Sequence, residues 1–122
     1  MELNDITERI IGCSYTVGRV LGYGFLEKVY ENSMVIEMQK TGLRVRQQHP
    51  ISVYYDERVV GEYVADLFVE EKVLVELKSI KELAKVHFAQ CLNYLKATNL
   101  NVCLLINFGQ TKVEIKRIVN NL

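Results

Sequence analysis

Val59-Val60-Gly61-Glu62-Tyr63-Val64-Ala65-Asp66-Leu67-Phe68-Val69, then Glu70-Glu71-Lys72, then Val73-Leu74-Val75-Glu76-Leu77-Lys78: this stretch decides the fold. The first segment is rich in β-branched and aromatic residues and reads as a strand. The polar triplet is a turn, and the third segment is a second strand. Successive side chains on a strand point to opposite faces, so Glu76 and Lys78 share a face. The hairpin brings Asp66 beside them. Two carboxylates and an ammonium in one place are what divalent-metal hydrolysis of a phosphodiester needs. The carboxylates hold a hard cation, and the lysine orients water or offsets developing charge. The same residues also suit a surface salt-bridge ladder, and their spacing alone does not separate the two.

Outward from the hairpin, the elements fall in a simple order. Leu3, Ile6, Ile10, Val17, Val20 and Leu21 have helical spacing, and Asn4 or Asp5 is placed to cap that helix. Gly22-Tyr23-Gly24 breaks it. A second helix is expected from about Leu26 to Lys40, with Val29, Tyr30, Met34, Ile36 and Met38 as its apolar positions and Gly42 as a left-handed cap. Val45–Gln48 and Ile51–Tyr55 alternate as strand. Pro50, the only proline, stands between them and marks an edge or a bulge. After Lys78, Ser79-x-x-Glu82 has the form of a capping box. The helix it opens runs to about Ala97, with Leu83, Val86, Phe88, Ala89, Leu92 and Leu95 facing inward. Asn101–Phe108 is an apolar strand, Gly109-Gln110 turns the chain, and Lys112–Ile118 alternates as a last strand. The fold class is mixed α/β (α+β), an α-β-β-β-α-β core with an extra first helix and an extra last strand.

The chain of 122 residues suffices for one domain with one core, spanning 1–122. Hydrophobic residues make up 49% and charged residues 25%, as in ordinary globular proteins. No window approaches the roughly 20 uninterrupted apolar residues of a membrane span. The acidic start Met1-Glu2-Leu3-Asn4-Asp5 has no basic n-region, so no signal peptide is visible. Cys13, Cys91 and Cys103 are odd in number and lack metal-ligand spacing. They read as buried free thiols of a cytosolic, and thus cytoplasmic, protein. His49 and His87 are too few and scattered for a zinc site. The formal net charge of zero argues against nonspecific nucleic-acid binding by bulk charge. It leaves room for a local basic surface: Lys78, Lys81, Lys85 and Lys96 fall on or near the side of Asp66 and Glu76. Lys112, Lys116 and Arg117 read as a solvated face.

Asp66 followed by Glu76-Leu77-Lys78, in this order of elements, resembles the PD-(D/E)XK nuclease superfamily. Ala65 stands where that motif has proline. Gly24-Phe25-Leu26-Glu27-Lys28-Val29-Tyr30 has the spacing G-x-x-E-x-x-Y. It resembles a family of small bacterial and archaeal proteins named for that motif and placed in the same superfamily. The resemblance extends to Ile106-Asn107-Phe108-Gly109 and to Lys116-Arg117-Ile118. Gly24 lets the backbone enter the helix at an unusual angle. Glu27 and Tyr30 share a helix face. Glu27 is either an additional metal-site carboxylate or a first-turn acid favoured by the helix dipole. Tyr30 is either site support or core. Gln90-Cys91-Leu92-Asn93-Tyr94 has the spacing Q-x-x-x-Y and resembles the motif that follows the E-x-K strand in RecB-type exonucleases. Gln90 and Tyr94, one turn apart, point together.

The resemblance implies a Mg²⁺- or Mn²⁺-dependent nuclease acting on DNA, less readily on RNA. Asp66, Glu76, the Leu77 backbone carbonyl and Glu27 would ligate the metal. Lys78 would position the attacking water and Gln90 would orient it, with Tyr30, Lys85 and Tyr94 as possible support or substrate contacts. A catalytically inactive nucleic-acid or protein binding module with the same fold is the rival, and a homodimer is possible. No membrane partner is implied.

Overall fold

The structure, a computed structural model, describes residues 1–120. Three helices and five strands follow in the order α1 (Leu3–Leu21), α2 (Glu27–Lys40), β1 (Val45–Tyr55), β2 (Arg58–Val69), β3 (Val73–Lys78), α3 (Lys85–Thr98), β4 (Val102–Asn107) and β5 (Glu114–Val119). The strands form one mixed sheet in the order β1-β2-β3-β4-β5. All neighbours are antiparallel except β3 and β4, which run parallel with α3 as the crossover. A parallel pair needs such a crossover, and the capped, periodic stretch after Lys78 supplies it.

Period-two alternation sorts the sheet's side chains into two layers. Leu67, Val69, Val73, Val75 and Leu77 pack under Ile6, Ile10, Met34 and Met38 of α1 and α2. Phe68, Leu74, Cys103 and Leu105 pack under Cys91, Tyr94 and Leu95 of α3. Strands buried on both faces read as continuous apolar runs, which is why β3 and β4 look so uniform. No helix among the described residues is long and apolar enough to cross a membrane. The three cysteines are free and buried.

Several boundaries differ from the sequence expectation. Helix α1 starts at Leu3 with Glu2 at its N-cap and no side-chain cap bond, so Asn4 and Asp5 lie inside the first turn. Val45–Tyr55 is one strand rather than two, because β1 lies at the sheet edge, where Pro50 needs no partner for a missing N–H. Val20, Ile36 and Val86 are exposed, on the outer faces of their helices. Helix α3 opens at Lys85, not at Ser79. Its first free N–H groups are handled locally instead: the Ala84 N–H donates to His87 Nδ1 at 2.8 Å. Ser79 is drawn elsewhere, its hydroxyl donating to the Phe25 carbonyl.

Candidate active site

The register Leu67↔Val75 and Phe68↔Leu74 sets Asp66 opposite Glu76. Both alternate with Phe68 and Leu74, so both project toward α3. The pair is interlocked with the backbone. The Asp66 N–H donates to Glu76 Oε1 at 3.1 Å, and the Leu77 N–H donates to Asp66 Oδ2 at 2.7 Å. Lys78 Nζ stands 4.0 Å from Glu76 Oε2. Asp66, Glu76 and Lys78 therefore meet at one point, as the hairpin reading requires. No buried side-chain polar atom among the described residues lacks a partner. The carboxylate oxygens without hydrogen bonds, Asp66 Oδ1 and Glu76 Oε2, are thus the ones that reach open space.

Burial penalises charge on both acids. The Glu76 carboxyl, 4% exposed, is pushed up to about 8 by its burial and then by the charge of Asp66, against the opposing Asp66 N–H and Lys78. Asp66 is raised for the same first reason; the Leu77 N–H acts against it, while Glu31 and Glu27 add to it. Two adjacent hard oxygen donors that resist carrying their charges alone fit a divalent cation, which would offset that charge. No group of three or more His, Cys, Asp or Glu side chains among the described residues could hold a metal. A pair of carboxylates is the donor set of an ion that keeps several waters, as Mg²⁺ does with one or two carboxylates.

The remaining candidates separate. Gln90 and Tyr94 do come together: Gln90 Nε2 donates to Tyr94 Oη at 2.9 Å, and Tyr94 Oη lies 3.4 Å from the Val64 carbonyl. The Tyr94 hydroxyl is pushed up to about 12 by burial first and by the charge of Glu76 second. Glu27 is the exposed first residue of α2 and forms no ligand group with Asp66 and Glu76; it reaches them as through-space repulsion. Exposed on the first turn of α2, Glu27 bears on the acid pair as a nearby charge. Tyr30 is fully buried and stacks on Phe108 with ring centres 4.3 Å apart. Its hydroxyl donates to the Gly22 carbonyl at 2.7 Å and accepts the Phe25 N–H at 3.2 Å. Substrate contact is closed to it; it braces the loop that leads into α2. Gly24 takes φ +92° there, and its N–H donates to the Phe108 carbonyl at 3.2 Å. Lys85 is exposed at the start of α3.

Two residues escaped the sequence reading. Glu31 is buried, and its carboxylate accepts Lys28 Nζ at 2.8 Å, Gln47 Nε2 at 2.7 Å and Gln48 Nε2 at 2.8 Å. Gln48 falls between the pairs Gln47↔Leu67 and His49↔Ala65 that flank Asp66, so Glu31 is the fixed anion on that flank. Its position one helical turn after Glu27 was the available signal. Asn107 is fully buried and level with Lys78 in the β3–β4 register. It holds the chain that leaves Lys78, and nothing in its local sequence announces this.

A groove of about 870 Å³ opens beside the acids, between α3 and the outer part of the β1–β2 hairpin, with Lys78, Gln90 and Tyr94 in its wall. No curated protein matches the sequence. Among solved structures, the crystal structure of SSO0001 superposes with a TM-score of 0.61 at 12% identity, covering 79% of this chain and 51% of that one. This chain thus spans about half the length of that protein. The alkaline exonuclease LHK-Exo from Laribacter hongkongensis superposes with a TM-score of 0.51 at 12% identity, over 98% of this chain and 83% of that one. At such identity the likeness carries the fold and leaves function to the site. The family model of the PD-(D/E)XK nuclease superfamily matches residues 4–118, nearly everything from α1 through β5, and the chain belongs to that superfamily.

Proposed function

We propose that the protein is a Mg²⁺- or Mn²⁺-dependent nuclease that hydrolyses phosphodiester bonds of DNA, within the subgroup named for G-x-x-E-x-x-Y. The observation that carries this is the Asp66–Glu76 pair, interlocked through backbone N–H groups with Lys78 4.0 Å from Glu76. Crowding two acids against a lysine in a half-closed site is costly for a binding module and useful for catalysis. Asp66 and Glu76, with the Leu77 carbonyl, are the residues that would hold the ion. A bound divalent ion supplies charge stabilisation at the phosphorus centre and lowers the pKa of water.

The chain's own groups do the rest. The N–H bonds from Leu77 and Asp66 fix the inner carboxylate oxygens, so the outer ones are aimed without rotamer freedom. Lys78 supplies a cation for the developing negative charge and orients the attacking water. The Gln90 amide, held by Tyr94, is preorganised to accept or donate toward that water or a phosphate oxygen. Glu27 and Glu31 set a negative field that favours cation entry, Glu27 from solvent and Glu31 from its hydrogen-bonded cradle. Three buried reduced cysteines accord with a cytoplasmic setting.

The test is a comparison of two variants. Calorimetry should show Mn²⁺ binding to the parent and to Lys78→Ala, and none to Glu76→Gln. Cleavage of DNA should be lost in both. Binding that survives in Glu76→Gln would remove the metal-site reading and leave the fold as a binding module.

A further inference from the structure

We infer that the groove between α3 and the β1–β2 hairpin seats an unpaired stretch of nucleic acid, with bases stacked on Tyr54 and Tyr63 and phosphates directed to Lys78 and Lys96. The inference rests on the nuclease reading of Asp66, Glu76 and Lys78 and names the form of substrate that site takes.

The first argument is shape. The β1–β2 ladder continues out to Tyr55↔Arg58, whereas β2 pairs with β3 only from Leu67 to Val69. The outer half of the hairpin therefore runs past β3 as an arm, with α3 alongside. Ile51, Val53 and Tyr63 alternate onto the α3 side. Gly61, opposite Val53, adds no side chain and leaves that floor low. The result is a trough lined by Val53, Tyr54 and Tyr63 on the arm and by Gln90, Asn93 and Lys96 on α3. Lys78 stands in the same lining, 4.0 Å from Glu76, so the trough ends beside the acid pair.

The second argument is chemistry. Tyr54 and Tyr63 are 64% and 53% exposed. Both rings line the trough and turn apolar faces into it. Tyr63 is also held in place, its ring centre 6.0 Å from that of Tyr94. A tyrosine face receives a nucleobase only when the base is unstacked, and a duplex hides its base faces. Charge points the same way. The whole protein carries 15 acidic and 15 basic residues, yet the trough is lined by Lys78 and Lys96 and by no carboxylate. An aromatic platform beside a basic edge is the general device for single strands.

The experiment is fluorescence anisotropy with a short labelled oligothymidylate and with a duplex of equal length, in EDTA so that nothing is cut. The single strand should bind more tightly than the duplex. Tyr54→Ala and Tyr63→Leu should each weaken that binding by about 5- to 150-fold, the range for losing one base–aromatic stack. Lys96→Gln should flatten the salt dependence by about 0.7 in the log–log slope. Tyr15→Ala, on the far side in α1, should leave affinity unchanged. Tyr54 is so exposed that its replacement does not threaten folding, and circular dichroism checks Tyr63→Leu. Equal affinity for duplex, or parental affinity in both tyrosine variants, would overturn the inference, as would absence of binding. Because the assay contains no metal and reads no cleavage, its failure leaves a Glu76-dependent hydrolysis intact. Failure of hydrolysis likewise leaves a positive binding result intact.

Discussion

Asn107 and Ile80, distant in sequence, pair like two halves of a strand ladder: the Ile80 N–H donates to Asn107 Oδ1 at 3.0 Å, and Asn107 Nδ2 donates to the Ile80 carbonyl at 3.0 Å. Asn107 Oδ1 also accepts the Gly109 N–H at 3.0 Å. One buried amide thereby replaces the backbone partners that β3 loses when it leaves the sheet just after Lys78.

Asn107→Ala is expected to cost about 2–4 kcal/mol, since it strands buried backbone groups rather than removing a matched pair. Gly109→Ala should be at least as damaging, because a Cβ there would strike the Ile80 backbone. Urea unfolding of both variants checks this. A loss under about 0.5 kcal/mol for Asn107→Ala, the range of ordinary surface changes, would show that the clamp is dispensable.

Stability should depend on pH through Glu76. Its carboxyl titrates near 8 in the folded protein against an ordinary value of 4.5. A carboxyl raised on folding holds its proton more tightly in the native state. Its stabilising effect is complete below 4.5, declines as pH rises and is lost above about 8. In metal-free buffer the parent should therefore melt several degrees lower at pH 8 than at pH 5 relative to Glu76→Gln, which lacks the titration. Parallel melting curves for the two proteins across that window would contradict the assignment.

Glu27 and Glu31 should part company. Glu27→Gln removes an exposed first-turn acid and should change stability by roughly 0.3–1 kcal/mol while leaving Mn²⁺ affinity nearly unchanged. Glu31→Gln removes the charged acceptor shared by Lys28, Gln47 and Gln48, and should cost about 1.5–3 kcal/mol. Mn²⁺ calorimetry and thermal melts on the two variants decide the matter. A large affinity loss in Glu27→Gln would restore it as a ligand.

Tyr94→Phe keeps the ring and deletes the hydroxyl that Gln90 holds. It should lower stability by about 0.5–1.5 kcal/mol and lower kcat more than it raises KM, because a released Gln90 amide still binds but is no longer aimed. A pure KM effect in steady-state cleavage would make Tyr94 a substrate contact instead.

The meeting of Asp66, Glu76 and Lys78 was legible in the sequence because strand periodicity is rigid. Once Val73–Lys78 is a strand paired with Leu67–Val69, Glu76 has one possible face and Asp66 one possible partner. Helical periodicity is looser. Val20, Ile36 and Val86 fit an apolar repeat and still ended in solvent, since only the sheet's position decides which flank of a helix is covered. The capping box Ser79-x-x-Glu82 is sound local chemistry that lost to tertiary bonds. Asn107 fixes Ile80, Gln110 Nε2 donates to the Lys81 carbonyl at 2.6 Å, and the helix waits until Lys85. Glu31 also binds Gln47, 16 positions away, and Asn107 binds Ile80, 27 positions away, and no local pattern encodes those long-range partners.

The sheet order repeats the chain order, and this shapes how the protein reaches its native state. β2 and β3 each zip onto the strand before them through tight turns, with little loop-closure entropy. Only β3 to β4 demands a long closure, and that closure lays α3 over Asp66 and Glu76. The hairpin can therefore form first with both acids hydrated and ionised. The later docking of α3 must strip their water. Refolding kinetics should thus show a rate-limiting step that slows as pH rises and the acids ionise, while the early hairpin signal stays indifferent to pH.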